Sequence, residues 1–427
     1  MNRKTIELDE YNILSYLDNK VNNVEPILEL YRGKLYCNII RFFINICSKT
    51  FGIKIFSVKK SYQRTLTNIL SSWMFSLYST YDYSKDYFLP NNYTNTTILY
   101  DILNDLCKFD TTIVDKEVLI NNVLAKLVEY YEIQLNTLET YKTCDLYNKN
   151  KNNFMIIKNK IEQKRNNKII IFYKFIIEIK YNIRDKRLQN ILDNILIPVH
   201  IYDKLYNSYS GPTSKIKYID NYIWAIIYRY QLLGSNNHQL AVIPSIMNKL
   251  HQDYKLNFEF FASAINATSP RFCSIYYDVE KYFGSCGSFF NIMPIKGAFG
   301  FNPPYQTDII NNGLNKLLYF LDNAMDELTF IITIPIWDIK GKDEMRLLYN
   351  NELKRQNIDY GDFDIINTVK ESKYFKECRM IPKEKFTYVD HNFLLFKNRT
   401  IQNTYVIILS NKDNVNSIVD YDFFDVY

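Results

Sequence analysis

The sequence predicts two domains, an all-α domain followed by an α/β domain with a mostly parallel sheet. Apolar residues recur at helical spacing through the first half, whereas continuous apolar runs alternate with helical stripes in the second half. Between the halves, residues 208–214 (SYSGPTS) combine Gly, Pro and Ser, which is typical of a domain boundary. We therefore expect a helical domain over residues 1–212 and an α/β domain over residues 213–427.

Two apolar stripes indicate helices in the first half, because their members lie three or four residues apart. Asp115 precedes the second stripe and is a candidate helix N-cap. The stripes consist of Leu66, Ile69, Leu70, Trp73 and Leu77, and of Ile120, Leu124, Leu127 and Tyr131.

Basic residues are concentrated in the first half. Residues 1–215 contain 30 Lys and Arg against 22 Asp and Glu, and residues 151–187 contain eleven against three. In residues 151–187, aromatic and basic side chains alternate, a mixture suited to phosphates and unstacked bases. We interpret this basic tract as a nucleic-acid contact surface, and the alternative is a solvated face of an amphipathic helix. The candidate contact residues are Lys164, Arg165, Lys168 and Lys174.

The second half alternates strands with helices. Pro244 can begin a helix that runs to residue 250, and residues 310–321 carry a helical stripe. Runs that are apolar on both faces are typical of parallel strands covered by helices, which predicts the α/β sheet. The strand candidates are residues 256–261 (LNFEFF), 272–276 (FCSIY), 330–334 (FIITI) and 405–409 (YVIIL).

Several classes of protein are excluded by composition. No run of 18 apolar residues occurs, so a membrane span is not expected. The seven cysteines are scattered, which argues against a disulfide framework and for a reducing, intracellular compartment, cytoplasmic or nuclear. The four histidines do not have metal-ligand spacing, so we expect no bound metal.

Residues 302–305 (NPPY) fit the (Asn or Asp)-Pro-Pro-aromatic signature of amino-group methyltransferases. The exocyclic amine of adenine is a poor nucleophile, and it gains reactivity when Asn302 Oδ1 and the Pro303 carbonyl accept its two N–H groups. Pro303 and Pro304 would hold these acceptors rigid, and Tyr305 can stack on an extracted base. The alternative is that the two prolines only end a strand and begin a helix.

A second group of residues fits a cleft for S-adenosylmethionine (SAM). Residues 261–266 (FASAIN) follow a strand and contain small residues, which suits a turn beside the methionine portion of the cofactor. Asp278 closes the next expected strand, where a ribose-binding carboxylate belongs, although a surface carboxylate would have the same spacing. Residues 283–287 (FGSCG) are typical of a turn that borders the same cleft.

Four segments in the second half occur in a specific order, residues 258–266 (FEFFASAIN), 272–290 (FCSIYYDVEKYFGSCGSFF), 301–305 (FNPPY) and 330–338 (FIITIPIWD). Together they resemble the catalytic domain of the phosphorylated-CTD-interacting-factor family, the cap-specific adenosine N6-methyltransferases. The resemblance implies a Rossmann-like SAM-dependent methyltransferase domain that methylates N6 of 2′-O-methyladenosine next to the cap of mRNA. It implies catalytic roles for Asn302, Pro303, Pro304 and Tyr305, and cofactor contacts for Ala262, Ser263, Asn266, Asp278, Gly284 and Ser285.

The same resemblance leaves alternatives open. The base could come from DNA or from an internal position of RNA, and a catalytically inactive cap-binding or scaffold module is a further alternative. Because Trp73, Trp224 and Trp337 lie far apart, we expect no WW module and no WW-mediated contact with the polymerase tail. The expected partner is capped RNA. Richness in Asn, Lys, Ile and Tyr suggests an AT-rich genome, such as that of a large DNA virus or a protist.

Overall fold

The computed structural model describes residues 4–8, 11–15, 24–52, 62–79, 86–107, 115–150, 156–165, 168–177, 186–212, 218–234, 239–335, 364–382, 386–391, 398–399 and 403–417. These residues form two compact units. The helical unit lies within residues 22–235, and the sheet unit combines the described residues before 22 with those after 235.

Helices occur in both units. They are α1 Pro26–Phe51, α2 Tyr62–Ser79, α3 Thr97–Cys107, α4 Lys116–Thr143, α5 Asp145–Asn150, α6 Lys186–Asp193, α7 Val199–Ser208, α8 Ile219–Leu233, α9 Pro244–Tyr254, α10 Tyr277–Glu280, α11 Thr307–Asp322 and α12 Asp364–Glu371.

Strands also occur in both units. They are β1 Lys4–Leu8, β2 Tyr11–Ser15, β3 Ile156–Arg165, β4 Lys168–Ile177, β5 Leu196–Pro198, β6 Leu240–Val242, β7 Phe258–Glu259, β8 Arg271–Phe272, β9 Ile292–Pro294, β10 Gly297–Phe301, β11 Leu328–Pro335, β12 Phe375–Ile381, β13 Tyr388–Asp390, β14 Asn398–Arg399 and β15 Thr404–Ser410.

The two predicted apolar stripes are confirmed as the buried faces of α2 and α4. Every member of both stripes is at most 5% exposed, and the helix α1 packs against α2, α4 and α8. Asp115 occupies the N-cap position of α4, but it has a left-handed backbone (φ 53°) and its side chain makes no capping hydrogen bond. Burial of the apolar faces therefore specifies these helices more strongly than capping does.

A buried ion pair joins the first and last helices of the helical unit. Arg229 on α8 donates from Nε and Nη2 to the two carboxylate oxygens of Glu29 on α1, at 2.8 and 2.7 Å. Both side chains are 1% exposed. Arg32 extends the cluster by donating to Glu29 at 2.5 Å and to Asp86 at 2.6 Å.

The expectation of an all-α first domain is wrong, because the basic tract forms a β-hairpin. Strands β3 and β4 pair antiparallel over their full length, and β5 pairs with the other edge of β4. β4 is rich in isoleucine, a β-branched residue that favours strands. The hairpin also buries Phe172 and Phe175. The amphipathic-helix alternative for this tract is therefore wrong as well.

The division between the units differs from the expected boundary after residue 212. It falls between residues 235 and 236, because α8 packs on α1 and belongs with the helices before it. The N-terminal strands β1 and β2 belong to the sheet unit, since β2 pairs with β9.

A six-stranded sheet forms the centre of the sheet unit, with the order β12-β15-β11-β10-β7-β8. β8, β7, β10 and β11 are parallel, whereas β15 runs antiparallel between β11 and β12. The four expected strands correspond to β7, β8, β11 and β15, although β7 and β8 have only two residues each. The unit is thus of mixed helix and sheet composition, as the sequence predicts.

The sheet unit contains two further sheets. β6, β13 and β14 form a three-stranded antiparallel sheet, and β1, β2 and β9 form another.

None of the helices in the described ranges has both the length and the apolar character that a membrane span requires. All seven cysteines are free thiols.

Candidate active site

The strand order of the six-stranded sheet reverses at β7. β8 lies on one side of β7, whereas the later strands β10 and β11 lie on its other side. In open α/β sheets, ligands bind in the crevice outside the carboxyl ends of strands at such a switch point. Residues 260–267 after β7 and residues 302–306 after β10 therefore border the candidate site.

The segment after β7 contacts the end of β10, which leads into residues 302–306. The Phe260 amide donates to the Gly300 carbonyl at 2.8 Å. The rings of Phe261 and Phe301 meet edge to face, with centroids 5.3 Å apart. The sheet thus brings together the FASAIN and NPPY segments, which are more than thirty positions apart in the sequence.

Asn302 is the first residue beyond the carboxyl end of β10. Its side-chain oxygen Oδ1 is buried and accepts no hydrogen bond from any residue that the structure describes. Because buried polar atoms are normally paired, this oxygen is suited to accept a hydrogen bond from a ligand.

The two prolines hold Asn302 between a strand and a helix. The Pro304 carbonyl accepts a hydrogen bond from the Gln306 amide at 2.7 Å, and α11 begins at the next residue. Gly313 on α11 lies against the ring of Phe301, where a Cβ would come within 2.5 Å of a ring carbon. Glycine at this position lets α11 pack closely on the end of β10, which fixes the segment between them.

Tyr305 is 8% exposed and packs against Tyr388 of β13. The ring centroids are 5.9 Å apart at an interplanar angle of 74°. Burial and the neighbouring Tyr388 raise the pKa of Tyr305 well above its ordinary value, so its hydroxyl stays protonated. Burial also raises the pKa of Tyr388 to about 12. Tyr305 is therefore a neutral aromatic residue bordering the candidate site.

Hydrogen bonds within the protein fix the loop after β7. Asn266 Oδ1 accepts from the Ser263 amide at 2.7 Å, and the Asn266 amide donates to the Ser263 carbonyl at 3.1 Å. The Ala262 amide donates to the Cys273 carbonyl at 2.9 Å, which ties the loop to the segment after β8. The predicted cofactor residues Ala262, Ser263 and Asn266 thus lie in one rigid turn at the switch point.

The predicted ribose carboxylate, Asp278, is not at a strand end. β8 ends at Phe272, and Asp278 lies six positions later in the short helix α10, where it is 5% exposed. The expected longer strand ends early. The Ser274 amide donates to the Gly287 carbonyl, and the Tyr276 carbonyl already accepts from two amides of α10. A surface location for Asp278 is excluded by this burial.

Gly284 and Ser285 lie in the turn that pairs with β8. Gly284 has φ 107°, and a Cβ there would come within 2.3 Å of the Pro270 carbonyl oxygen, so this turn requires glycine. Ser285 pairs with Phe272 in a parallel bridge, and its hydroxyl lies 2.7 Å from that of Ser274. This turn therefore extends the parallel pairing of the sheet by one bridge beyond β8.

Four polar residues near the site are not predicted from the sequence. Glu280 Oε1 accepts from the Ala264 amide at 2.7 Å, and Glu259 Oε1 accepts from the amides of Thr268 and Ser269 at 2.7 and 2.6 Å. Gln239 directly precedes β6 and Tyr388 lies on β13, and the pairing of these two strands brings both residues to the site. Asp278 and Glu280 form an acidic pair on α10, which is a sequence signal for Glu280. The other three residues have no such signal in the sequence.

The predicted nucleic-acid contacts lie in the helical unit. Lys164 is exposed at the end of the hairpin, and Arg165 and Lys168 are a directly opposed pair of the register. Lys174 is half-buried on the central strand, opposite Asn159 and Leu196. The hairpin therefore gathers three of the four basic residues at one end and separates Lys174 from them.

Buried polar atoms at the switch point are available to a ligand. Asn302 Oδ1 and Gln239 Nε2 lack partners among the described residues, and Gln239 contacts Ser263. A ligand between the two segments could satisfy both. In the described residues no cluster of three His, Cys, Asp or Glu side chains is close enough to hold a metal ion.

A family model described as "Phosphorylated CTD interacting factor 1 WW domain" matches residues 201–362, less than half of the chain. The matched segment contains the FASAIN and NPPY segments. Because its description names a WW domain, the match does not support the expectation of a chain without such a module. Residues 336–362 of the match lie outside the described residues, including the end of the predicted FIITIPIWD segment.

The chain is similar to two curated mammalian proteins, each named mRNA (2′-O-methyladenosine-N(6)-)-methyltransferase. The mouse protein and the human protein are each 25% identical to it over 142 residues, which are 32% of this chain. The chain spans about a fifth of the length of these relatives. Neither relative is viral, so the similarity gives no support to a viral origin. Over its matched segment, the chain is thus similar to adenosine N6-methyltransferases that act on mRNA.

Proposed function

We propose that the chain is a SAM-dependent methyltransferase that modifies N6 of adenosine at the first nucleotide of capped mRNA. The observation that carries this proposal is the buried Asn302 Oδ1 beyond the carboxyl end of β10, which has no hydrogen-bond partner in the described part of the chain. It is an acceptor placed where an α/β sheet binds its ligands, and it lies within an NPPY sequence.

The protein's part in the reaction is to position and polarise the target amine. Asn302 Oδ1 and the Pro303 carbonyl would each accept one N–H of the adenine amine, which favours the localised lone pair that attacks. Tyr305 would stack on the extracted base, and its raised pKa keeps its hydroxyl uncharged beside the reacting group. When bound, SAM supplies an electrophilic methyl group for in-line displacement.

The topology of the sheet supports a Rossmann-like cofactor site. The order of the parallel strands β8, β7, β10 and β11 reverses at a switch point, and the turn after β7 borders this point. We assign Ala262, Ser263 and Asn266 to the methionine side of the cofactor. Asp278, Gly284 and Ser285, in the segments after β8, would lie on its ribose side.

Capped RNA as the substrate rests on the resemblance and on the printed names of the two relatives. The end of the hairpin, where Lys164 is exposed and Arg165 and Lys168 are paired in the register, is proposed to contact RNA phosphates. A DNA or internal-RNA adenine methyltransferase shares the same NPPY chemistry and remains the second candidate.

The test combines cofactor binding with methyl transfer. We expect calorimetry to detect SAM binding, and nucleoside mass analysis to detect a methyl group added to adenosine of capped RNA. The Asn302→Ala variant serves as the matched control for catalysis. SAM binding without transfer to any RNA or DNA would overturn the proposed activity, and absence of SAM binding would favour the catalytically inactive cap-binding or scaffold module instead.

A further inference from the structure

Gln239 carries a buried hydrogen-bond donor beside the turn after β7. The side chain is only 8% exposed, and its Oε1 accepts from the Ser263 hydroxyl at 2.8 Å. Its Nε2 is buried and donates to no residue that the structure describes. A buried amide left in this state costs the full desolvation penalty of its N–H groups, which a bound acceptor would remove.

The backbone around Gln239 is fixed. Its carbonyl accepts from the His391 amide at 3.0 Å, and the next residue, Leu240, begins β6 and pairs with Asp390 of β13. The side chain is therefore held at the Ser263 turn by both its backbone and its own hydrogen bond.

The amides of the turn are already used within the protein. Those of Ala262, Ser263 and Ala264 donate to the Cys273 carbonyl, to Asn266 Oδ1 and to Glu280 Oε1, at 2.9, 2.7 and 2.7 Å. In a glycine-rich turn, such amides would be available to an anionic ligand. Here a donor for an anion must come from elsewhere.

We propose that Gln239 Nε2 supplies this donor and binds the carboxylate of the amino-acid portion of the cofactor. The inference rests on the proposed function, because it takes the ligand of the switch point to be SAM. It assigns a binding role to a side chain outside all four segments that carry the family resemblance. Gln239 is thus a cofactor-binding residue, and it compensates for the absence of glycine in the turn.

The experiment measures by calorimetry the binding of SAM and of 5′-methylthioadenosine, which lacks the amino-acid portion of SAM and the positive charge on its sulfur. S-adenosylhomocysteine, a neutral thioether that keeps the amino-acid portion, is measured beside them, and its binding should weaken as that of SAM does. Gln239→Glu places a carboxylate against the carboxylate of SAM, and Gln239→Leu removes the donor without adding charge. We expect both variants to bind SAM roughly 10- to 100-fold more weakly than the wild type, since hydrogen bonds to charged groups are the stronger kind. Their affinity for 5′-methylthioadenosine should change less than about two-fold.

The control is Gln252→Glu, which makes the same charge change at an exposed position of α9. It should bind all three ligands as the wild type does. Equal weakening of SAM and 5′-methylthioadenosine by the Gln239 variants would indicate a structural role and overturn the inference. Unchanged or tighter SAM binding by Gln239→Glu would also overturn it. A wild-type protein that binds none of these ligands would overturn the proposed function, and this inference with it.

Discussion

The carboxylate of Glu280 accepts a hydrogen bond from the backbone amide of Ala264, with 2.7 Å between Oε1 and N. Glu280 is fully buried on α10, whereas Ala264 lies in the turn after β7. This bond joins the segments that follow two neighbouring parallel strands, β7 and β8. The shape of the proposed cofactor turn therefore depends on a side chain that does not belong to it.

Removal of this bond should weaken cofactor binding. Glu280→Ala leaves the Ala264 amide without its acceptor, and we expect SAM affinity to fall roughly tenfold, in line with the cost of an unmade hydrogen bond. Glu280→Gln keeps an acceptor oxygen and should restore most of the affinity measured by calorimetry. Glu371→Ala, at an exposed position of α12, is the control. Wild-type affinity in Glu280→Ala would show that the bond does not shape the site.

Asn302→Ala should abolish methyl transfer while leaving SAM affinity nearly unchanged. The side chain is proposed to contact the target amine, and loss of one such transition-state contact costs roughly 10²- to 10³-fold in rate. Single-turnover rates and calorimetry separate the two effects. Asn312→Ala, at an exposed position of α11, should keep the wild-type rate. A rate for Asn302→Ala within a few-fold of wild type would remove Asn302 from the proposed chemistry.

Charge reversal at the end of the hairpin should weaken RNA binding. In the triple variant Lys164→Glu, Arg165→Glu and Lys168→Glu, each lost phosphate contact lowers the slope of log affinity against log salt by about 0.7 for single strands. We expect the slope to fall by about 2 for the triple variant. Lys126→Glu, exposed on α4 and outside the tract, should leave the slope unchanged. If the triple variant also leaves it unchanged, the hairpin does not contact RNA.

The buried pair of Glu29 and Arg229 should make the helical unit sensitive to acid. Burial raises the pKa of Glu29, but the charges of Arg229 and Arg32 outweigh burial and hold that pKa below its ordinary value. Stability from Glu29 is thus fully present above its unfolded pKa, about 4.3, and is lost as the pH falls through the lower folded value. Urea unfolding followed by tryptophan fluorescence reports on this unit, since Trp73 and Trp224 are buried in it.

Arg229→Met tests the same pair directly. It leaves the Glu29 carboxylate buried without its main partner, which should cost about 3–5 kcal/mol in the free energy of unfolding at neutral pH. The double variant Glu29→Gln with Arg229→Met removes both charges and should recover much of that loss. It should also unfold with a weaker dependence on pH between 3 and 5. A loss below about 1 kcal/mol in Arg229→Met would mean that the pair contributes little.

The sequence predicted those parts of the fold that depend on local patterns of apolar residues. The stripes of α2 and α4 were recognisable because burial of one helix face imposes a period, and β11 and β15 were recognisable because strands buried on both faces are continuously apolar. The hairpin was missed because its lysines obscure the alternation, and because its burial depends on helices that follow it in the chain. β7 and β8 are shorter than predicted because the chain turns towards the site after each of them.

The site was predictable where its residues are contiguous. NPPY and FASAIN are local sequences, and their meeting follows from adjacent parallel strands. Gln239 and Tyr388 could not be found in this way. The pairing of β6 with β13 brings them to the site, and these two strands are about 150 positions apart in the sequence. Glu280 was passed over in favour of Asp278, since spacing alone does not reveal which carboxylate of α10 bonds to the turn.

The central claim, methylation at the cap-adjacent adenosine, is tested most directly by competition among substrates. Wild-type protein and SAM are incubated with matched capped RNAs beginning with 2′-O-methyladenosine or guanosine, with the same uncapped RNA, and with DNA of the same sequence. Nucleoside mass analysis then locates the added methyl group. We predict N6-methylation of the first adenosine of the capped RNA, far faster than any other reaction. Equal rates on DNA or on internal adenosines would contradict the cap assignment and leave only the adenine methyltransferase chemistry.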